Sequence, residues 1–302
     1  MTGELRRTLG TPQAVVVGLA AMMGAGVFYV WAPAAAAAGT GLLIGLLIAA
    51  VVATLNALST TQLAMAHPVS GGAYAYGRHT IGPRIGFTAG WLFMVGKISS
   101  AGAIALIAGS YLAPDYARLI AVLAVVVLAA INATGIRSTS RVSTLIVGTV
   151  LGGLLLIIVT TLIRLPTLQL QPLGGTLDIG ANGWLGILQS AGLLFFSFAG
   201  YARMATLGEE VLDPRKTLPR AIIIALAITL LIYGTIAILC VTVLGIPALA
   251  QSTSPVADLV SDGWDTVIRT IAAIACLGSL MGVLAGLSRT GLAMSRNKDL
   301  PG

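Results

Sequence analysis

Charge is what this sequence has least of: only 9% of its 302 residues are Asp, Glu, Lys or Arg, where a soluble domain carries about 25%. With 57% hydrophobic residues a water-compatible surface cannot be assembled, so a soluble globular domain is excluded. A disordered chain is excluded too, because disorder needs low hydrophobicity and high net charge. Cysteine is nearly absent. Cys240 and Cys276 both lie in apolar runs, where an inert buried thiol is the ordinary expectation rather than a disulfide or a metal ligand. The two histidines, His67 and His79, share one connection, and neither a metal-ligand cluster nor a serine nucleophile elbow is found. Gly96-Lys97 makes no phosphate loop, since Gly90 is one position too distant and Ile98 stands where a hydroxyl residue belongs. No enzyme chemistry, cofactor or metal is therefore expected. A net charge of +7 raises the question of nucleic acid, but no stretch reads as a basic recognition helix.

What is present is hydrophobicity in membrane-length blocks. A bilayer helix needs about 20 apolar residues, and a window of that order places eight spans near 11–38, 41–65, 83–112, 116–133, 142–163, 183–208, 218–244 and 267–288. The first run continues past signal-peptide length and reads as a retained span. All eight belong to one domain, 1–302. Lys and Arg separate cleanly between the connections. Arg6, Arg7, Arg78, Arg84, Arg137, Arg141, Arg215, Lys216, Arg220, Arg289, Arg296 and Lys298 fall on one side, against Arg118, Arg164 and Arg269 on the other. By the positive-inside rule both termini are cytoplasmic. Asn132-Ala133-Thr134 fits a glycosylation sequon but falls at a cytoplasmic helix end, where it is silent.

Two spans are poor helices at corresponding places. The first carries Gly24-Ala25-Gly26 in mid-membrane and the sixth carries Ser197-Phe198-Ala199-Gly200. Glycine weakens a helix by up to about 1 kcal/mol relative to alanine, so such clusters mark places where the helix unwinds at little cost. Unwound backbone at membrane depth has to be buried in protein or line a cavity. Two interrupted helices five spans apart are the pattern of an inverted-repeat transporter, in which freed amides take an anionic group and freed carbonyls take cations. The alternative is that these glycines only let helices pack closely.

These segments resemble the amino acid–polyamine–organocation permeases. Gly18-Leu19-Ala20-Ala21-Met22-Met23-Gly24-Ala25-Gly26-Val27-Phe28 is similar to that family's first-helix motif, and His67-Pro68-Val69-Ser70-Gly71-Gly72-Ala73-Tyr74 to its loop between the second and third spans. The strongest likeness is Phe195-Phe196-Ser197-Phe198-Ala199-Gly200-Tyr201 running into Glu209-Glu210-Val211-Leu212-Asp213-Pro214-Arg215-Lys216-Thr217-Leu218-Pro219. The resemblance implies an all-α integral membrane protein with a LeuT-like inverted-repeat bundle, and secondary active transport of amino acids across the plasma membrane by alternating access. That family usually has twelve spans, and eight would leave the second repeat two helices short. The expectation is a truncated bundle, with a noncatalytic membrane component or a transport-inactive remnant as the alternative.

By the same resemblance, amides around Gly24, Ala25 and Gly26 hold a substrate carboxylate, while carbonyls of Met22, Phe196, Ser197 and Ala199 accept the ammonium beside Gly200. Phe196, Phe198 and Tyr201 are candidates to cover the ligand. Lys97 stands fourteen residues into the third span, about 21 Å along it at 1.5 Å per residue. An intramembrane charge is a functional candidate by default. Because desolvation penalises the charged amine, Lys97 could take the part of a sodium ion in coupling, or it could simply pair with carbonyls of the unwound helices. Arg203, with Glu209 and Glu210 beyond it, is either an inner gate or a side chain reaching for the interface. No acidic residue lies deep in a span, so a small zwitterionic substrate is expected, with H+ or Na+ as co-ion. Ser279 and Ser288 could offer hydroxyl oxygens to a cation.

Overall fold

The computed structural model describes residues 9–67, 71–133, 140–168, 170, 182–205, 211–260 and 263–300. Its helices are α1 (Thr11–Met22), α2 (Ala25–Tyr29), α3 (Trp31–Ala38), α4 (Leu42–Ala66), α5 (Ala73–Thr80), α6 (Pro83–Leu112), α7 (Ala117–Ala133), α8 (Ser140–Arg164), α9 (Gly183–Phe198), α10 (Tyr201–Ala205), α11 (Pro214–Leu239), α12 (Ile246–Gln251) and α13 (Asp265–Arg296). Extended pairing among the described residues is confined to a one-residue parallel bridge between Leu9 and Val211. Among the described residues six helical stretches are long and apolar enough to cross a membrane: Trp31–Ala66, Pro83–Leu112, Pro114–Ala133, Thr144–Thr167, Pro214–Leu244 and Asp265–Arg296. Two further apolar helices, Thr11–Met22 and Gly183–Phe198, are shorter. Both belong to the spans in which the sequence predicts interruptions.

Local chemistry sets the helix ends. Pro83 and Pro214 occupy first-turn positions, where the missing N–H would have no partner anyway. The Asp213 carbonyl accepts the Thr217 amide at 2.7 Å to start α11. α13 runs to Arg296, well past the expected end near 288, because its last turns are polar and invisible to a hydropathy window although they remain helical. Hydroxyls within the apolar helices turn back onto the preceding turn: Thr54 donates to Ala50, Thr61 to Ala57 and Thr160 to Leu156, each at 2.7 Å. That leaves none of these three hydroxyl hydrogens unpaired among apolar neighbours.

Apolar side chains cover the outside as well as the core. Leu92, Leu119 and Val122 are more than half exposed, as suits side chains whose surroundings are hydrocarbon. Together the apolar helices and their exposed apolar surface describe a multi-pass membrane protein. Inside, α1 lies along α11, α4 along α9, and α6 along α13. The largest fully buried side chains include Trp31, Tyr233, Phe28 and Phe198, all close to the two interruptions.

Outside the membrane helices, α5 is fastened to the segment after α13. Asp299 accepts hydrogen bonds from the Tyr74 hydroxyl at 2.6 Å and from Arg78 at 2.7 Å. Burial, then the Asp299 hydrogen bond, holds the Tyr74 phenol above its usual 10. Burial alone pushes Tyr76 up to about 12. His67 and His79 stack with ring centroids 5.6 Å apart.

Candidate functional site

α1 stops at Met22. The Met23 amide still reaches the Leu19 carbonyl at 2.7 Å, but Gly24, at φ −115° and ψ −138°, leaves helical geometry altogether. The chain re-enters helix at Ala25 and continues through Val30, itself helical at φ −60° and ψ −23°, with the Val30 amide on the Gly26 carbonyl at 3.0 Å and the Ala34 amide on the Val30 carbonyl at 3.1 Å. Ala25 to Ala38 is thus one helical run whose N-terminus opens at Gly24, and no side chain caps it. The first amides of such a run have no partner within the helix, and the helix dipole puts its positive end there.

The second interruption is shallower. Between α9 and α10, Ala199 keeps φ −61° and ψ −4°, and its amide makes a tightened-turn bond to the Phe196 carbonyl at 3.2 Å. The two interruptions touch. A methyl group added to Gly26 would strike Ser197, and one added to Gly200 would strike the backbone of Ala21 and Met22. On the opposite flank, a methyl on Gly24 would overlap Ser279 of α13. Glycine is required at all three positions because another chain segment passes where the side chain would be.

A small cavity of about 40 Å³ opens at this junction. Ala21, Met22, Gly24, Ala25 and Gly26 line it from the first interruption, and Phe196, Ser197, Ala199 and Gly200 from the second. α6 contributes Lys97, Ser100 and Ile104, and α13 contributes Ser279 and Val283. The Ser197 hydroxyl is buried with no hydrogen-bond partner, as are those of Ser190 and Thr290, and of the three only Ser197 lines the cavity. Lys97 is half-buried, with Nζ 5.7 Å from the Phe93 ring centre, a cation–π distance. No carboxylate lines the cavity.

Most of the residues expected to bind therefore do come together: Met22, Gly24, Ala25, Gly26, Phe196, Ser197, Ala199 and Gly200 share one cavity with Lys97. Phe198 does not join them. It is completely buried against the Tyr233 ring, 5.0 Å between centroids, and Tyr201 is buried as well. Two residues on from Phe196, a helical side chain points to nearly the opposite face. Arg203 lies on α10, but its side chain and the residues Glu209 and Glu210 are outside the described residues. Ser279 and Ser288 are not neighbours: Ser279 lines the cavity, while Ser288 accepts the Asn132 amide at 2.6 Å.

A family model described as amino acid permease matches residues 9–302. The chain belongs to the amino acid permease family. Among curated relatives, an uncharacterized transporter of Mycobacterium tuberculosis is 47% identical over 310 residues, an alignment covering 99% of this chain and 68% of that protein. The branched-chain amino acid permease BcaP of Bacillus subtilis is 27% identical over 99% of this chain and 69% of its own length. Cationic amino acid transporter 7 of Arabidopsis thaliana is 26% identical over 99% of this chain and 56% of its own. Family and relatives point to transport rather than to enzymatic chemistry.

In this permease several contributors to the junction escaped the sequence, among them Ser100, Ile104, Val283 and Tyr233. Ser100 and Ile104 follow Lys97 at i+3 and i+7, a spacing that puts all three on one helix face, so the signal was available. Tyr233 offered none. Fully buried on α11, its hydroxyl donates to the Met22 carbonyl at 2.6 Å and lies 3.2 Å from the Ser197 carbonyl.

Proposed function

We propose that this chain is a secondary active transporter of small zwitterionic amino acids, built as a LeuT-like bundle of eight crossings in the plasma membrane with both termini cytoplasmic. The observation that carries this reading is the meeting of two interrupted helices at one cavity, with an uncapped helix N-terminus on one wall and an unbonded Ser197 hydroxyl on the other. The substrate carboxylate is assigned to the amides of Gly24, Ala25 and Gly26, since main-chain donors at a helix start satisfy an anion without a fixed charge. The ammonium is assigned to the carbonyls of Ser197 and Ala199 and to the Ser197 hydroxyl, with Phe196 over the opening. Lys97 is the proton carrier. Its ammonium, with no carboxylate lining the cavity, disfavours cationic substrates by like-charge repulsion. Alternating access is assigned to hinging of the helices at the two interruptions that border the cavity.

The test is uptake into proteoliposomes across a panel of amino acids, with and without an inward proton gradient, for the wild type and Lys97→Ala. Saturable uptake of small neutral amino acids is expected, stimulated by the gradient in the wild type and indifferent to it in the variant. Absence of saturable flux for every amino acid overturns the transport reading. Intact stimulation in Lys97→Ala removes Lys97 from coupling.

A further inference from the structure

The buried threonines Thr61, Thr161 and Thr229 donate to carbonyls of their own helix, and Tyr233 does not. Its hydroxyl serves two other helices. Met22 is the last residue of α1, and Ser197 is next to last in α9. Carbonyls at helix ends have no amide four residues ahead to accept from, and each such end carries the negative pole of its helix dipole. The two poles converge on the hydroxyl of the fully buried Tyr233. A single O–H stands between them, 2.6 Å from one carbonyl oxygen and 3.2 Å from the other. The ring leaves that hydroxyl little freedom: it packs edge-on to Trp31 at 5.9 Å and against Phe198 at 5.0 Å.

We infer that Tyr233 is a positioning residue: its hydroxyl caps the C-terminal ends of both half-helices at once, and so fixes the separation between the amides of the first interruption and the polar groups of the second. Phe198, expected from sequence to touch a ligand, instead braces this tyrosine. The inference deepens the reading of the cavity as an amino acid site, and only its affinity readout rests on that reading.

The experiment compares the purified full chain with Tyr233→Phe and Tyr111→Phe. Tyr111 is the control because its buried hydroxyl donates to one carbonyl only, that of Phe28 at 2.8 Å. Hydrogen exchange is followed in peptides spanning 19–26 and 195–201, together with binding of L-alanine. Tyr233→Phe is expected to accelerate exchange at least tenfold in both peptides and to weaken alanine binding by at least tenfold. Tyr111→Phe is expected to leave 195–201 unchanged. Exchange within twofold of wild type in Tyr233→Phe, or acceleration in one peptide alone, overturns the proposal. If the wild type binds no alanine, the site reading fails while the exchange result still decides the role of Tyr233. Should Tyr233→Phe not fold, 3-fluorotyrosine at 233 keeps the shape and strengthens the donor. Slower exchange in both peptides then supports the proposal, and unchanged exchange overturns it.

Discussion

The two interruptions are unequal. At the first, Gly24 abandons helical geometry and its surroundings are closed, with Met22 and Ala25 each 1% exposed. At the second, the backbone hardly leaves the helical region, and Phe196 stays 36% exposed at the cavity. Yet Gly200, in the milder bend, lies against main-chain atoms of Ala21 and Met22, whereas Gly24, in the sharper one, lies mainly against the Ser279 side chain. How far a backbone strays from a helix is therefore a poor guide to how tightly it is held. A side chain can be trimmed to relieve a collision. A peptide group cannot.

That contrast orders three substitutions. Gly200→Ala should have the largest effect, since the added methyl meets the Ala21 carbonyl and nothing nearby can rotate away. Overpacking of this kind costs about 1–3 kcal/mol where side chains can adjust and more where they cannot. Little monodisperse protein should survive size-exclusion chromatography in detergent, and full recovery with normal uptake would contradict the backbone contact. Gly24→Ala should cost about 1–3 kcal/mol, read as a fall in thermal midpoint, and Ser279→Gly in the same chain should restore most of it. Additive losses in the double variant would mean that the collision lies elsewhere.

The smallest effect belongs to the Asp299 cluster, far from both bends. Asp299→Asn breaks a half-buried ion pair with Arg78 and should cost about 1 kcal/mol. The same region sets an alkaline limit. Tyr74 and Tyr76 have folded values above their unfolded value of 10, with Tyr76 at about 12. Their stabilisation is complete below pH 10 and is lost as pH rises through about 12. Melting curves between pH 9 and 12 should show that decline, and in Asp299→Asn the Tyr74 share of it should shrink.

Much of this was legible beforehand because glycine and hydropathy are local signals. Residues 83–112 were expected as one span and form α6 over those limits. Gly24 and Gly200 marked the interruptions because their backbone requirement is written in their own identity. Tyr233 was not legible, since a tyrosine in an apolar helix reads the same whether its hydroxyl serves its own helix or two others. Phe198 went astray for a related reason: Phe196, Phe198 and Tyr201 lie within six positions and cannot all face a cavity, and only the packing of Phe198 against Tyr233 shows that it turns inward. The Lys97, Ser100 and Ile104 face needed only helical spacing, but Ser279 opposite Gly24 needed the fold.

The bridge between Leu9 and Val211 links the chain just before α1 to the chain just beyond α10, with the Leu212 amide on the Leu9 carbonyl at 3.0 Å. Deeper in, Met204 fills the space left by Gly18, and Gly200 rests on Ala21. Joined at three heights, α1 and α10 meet along their length, so the seam between the two interrupted spans reaches well beyond the cavity.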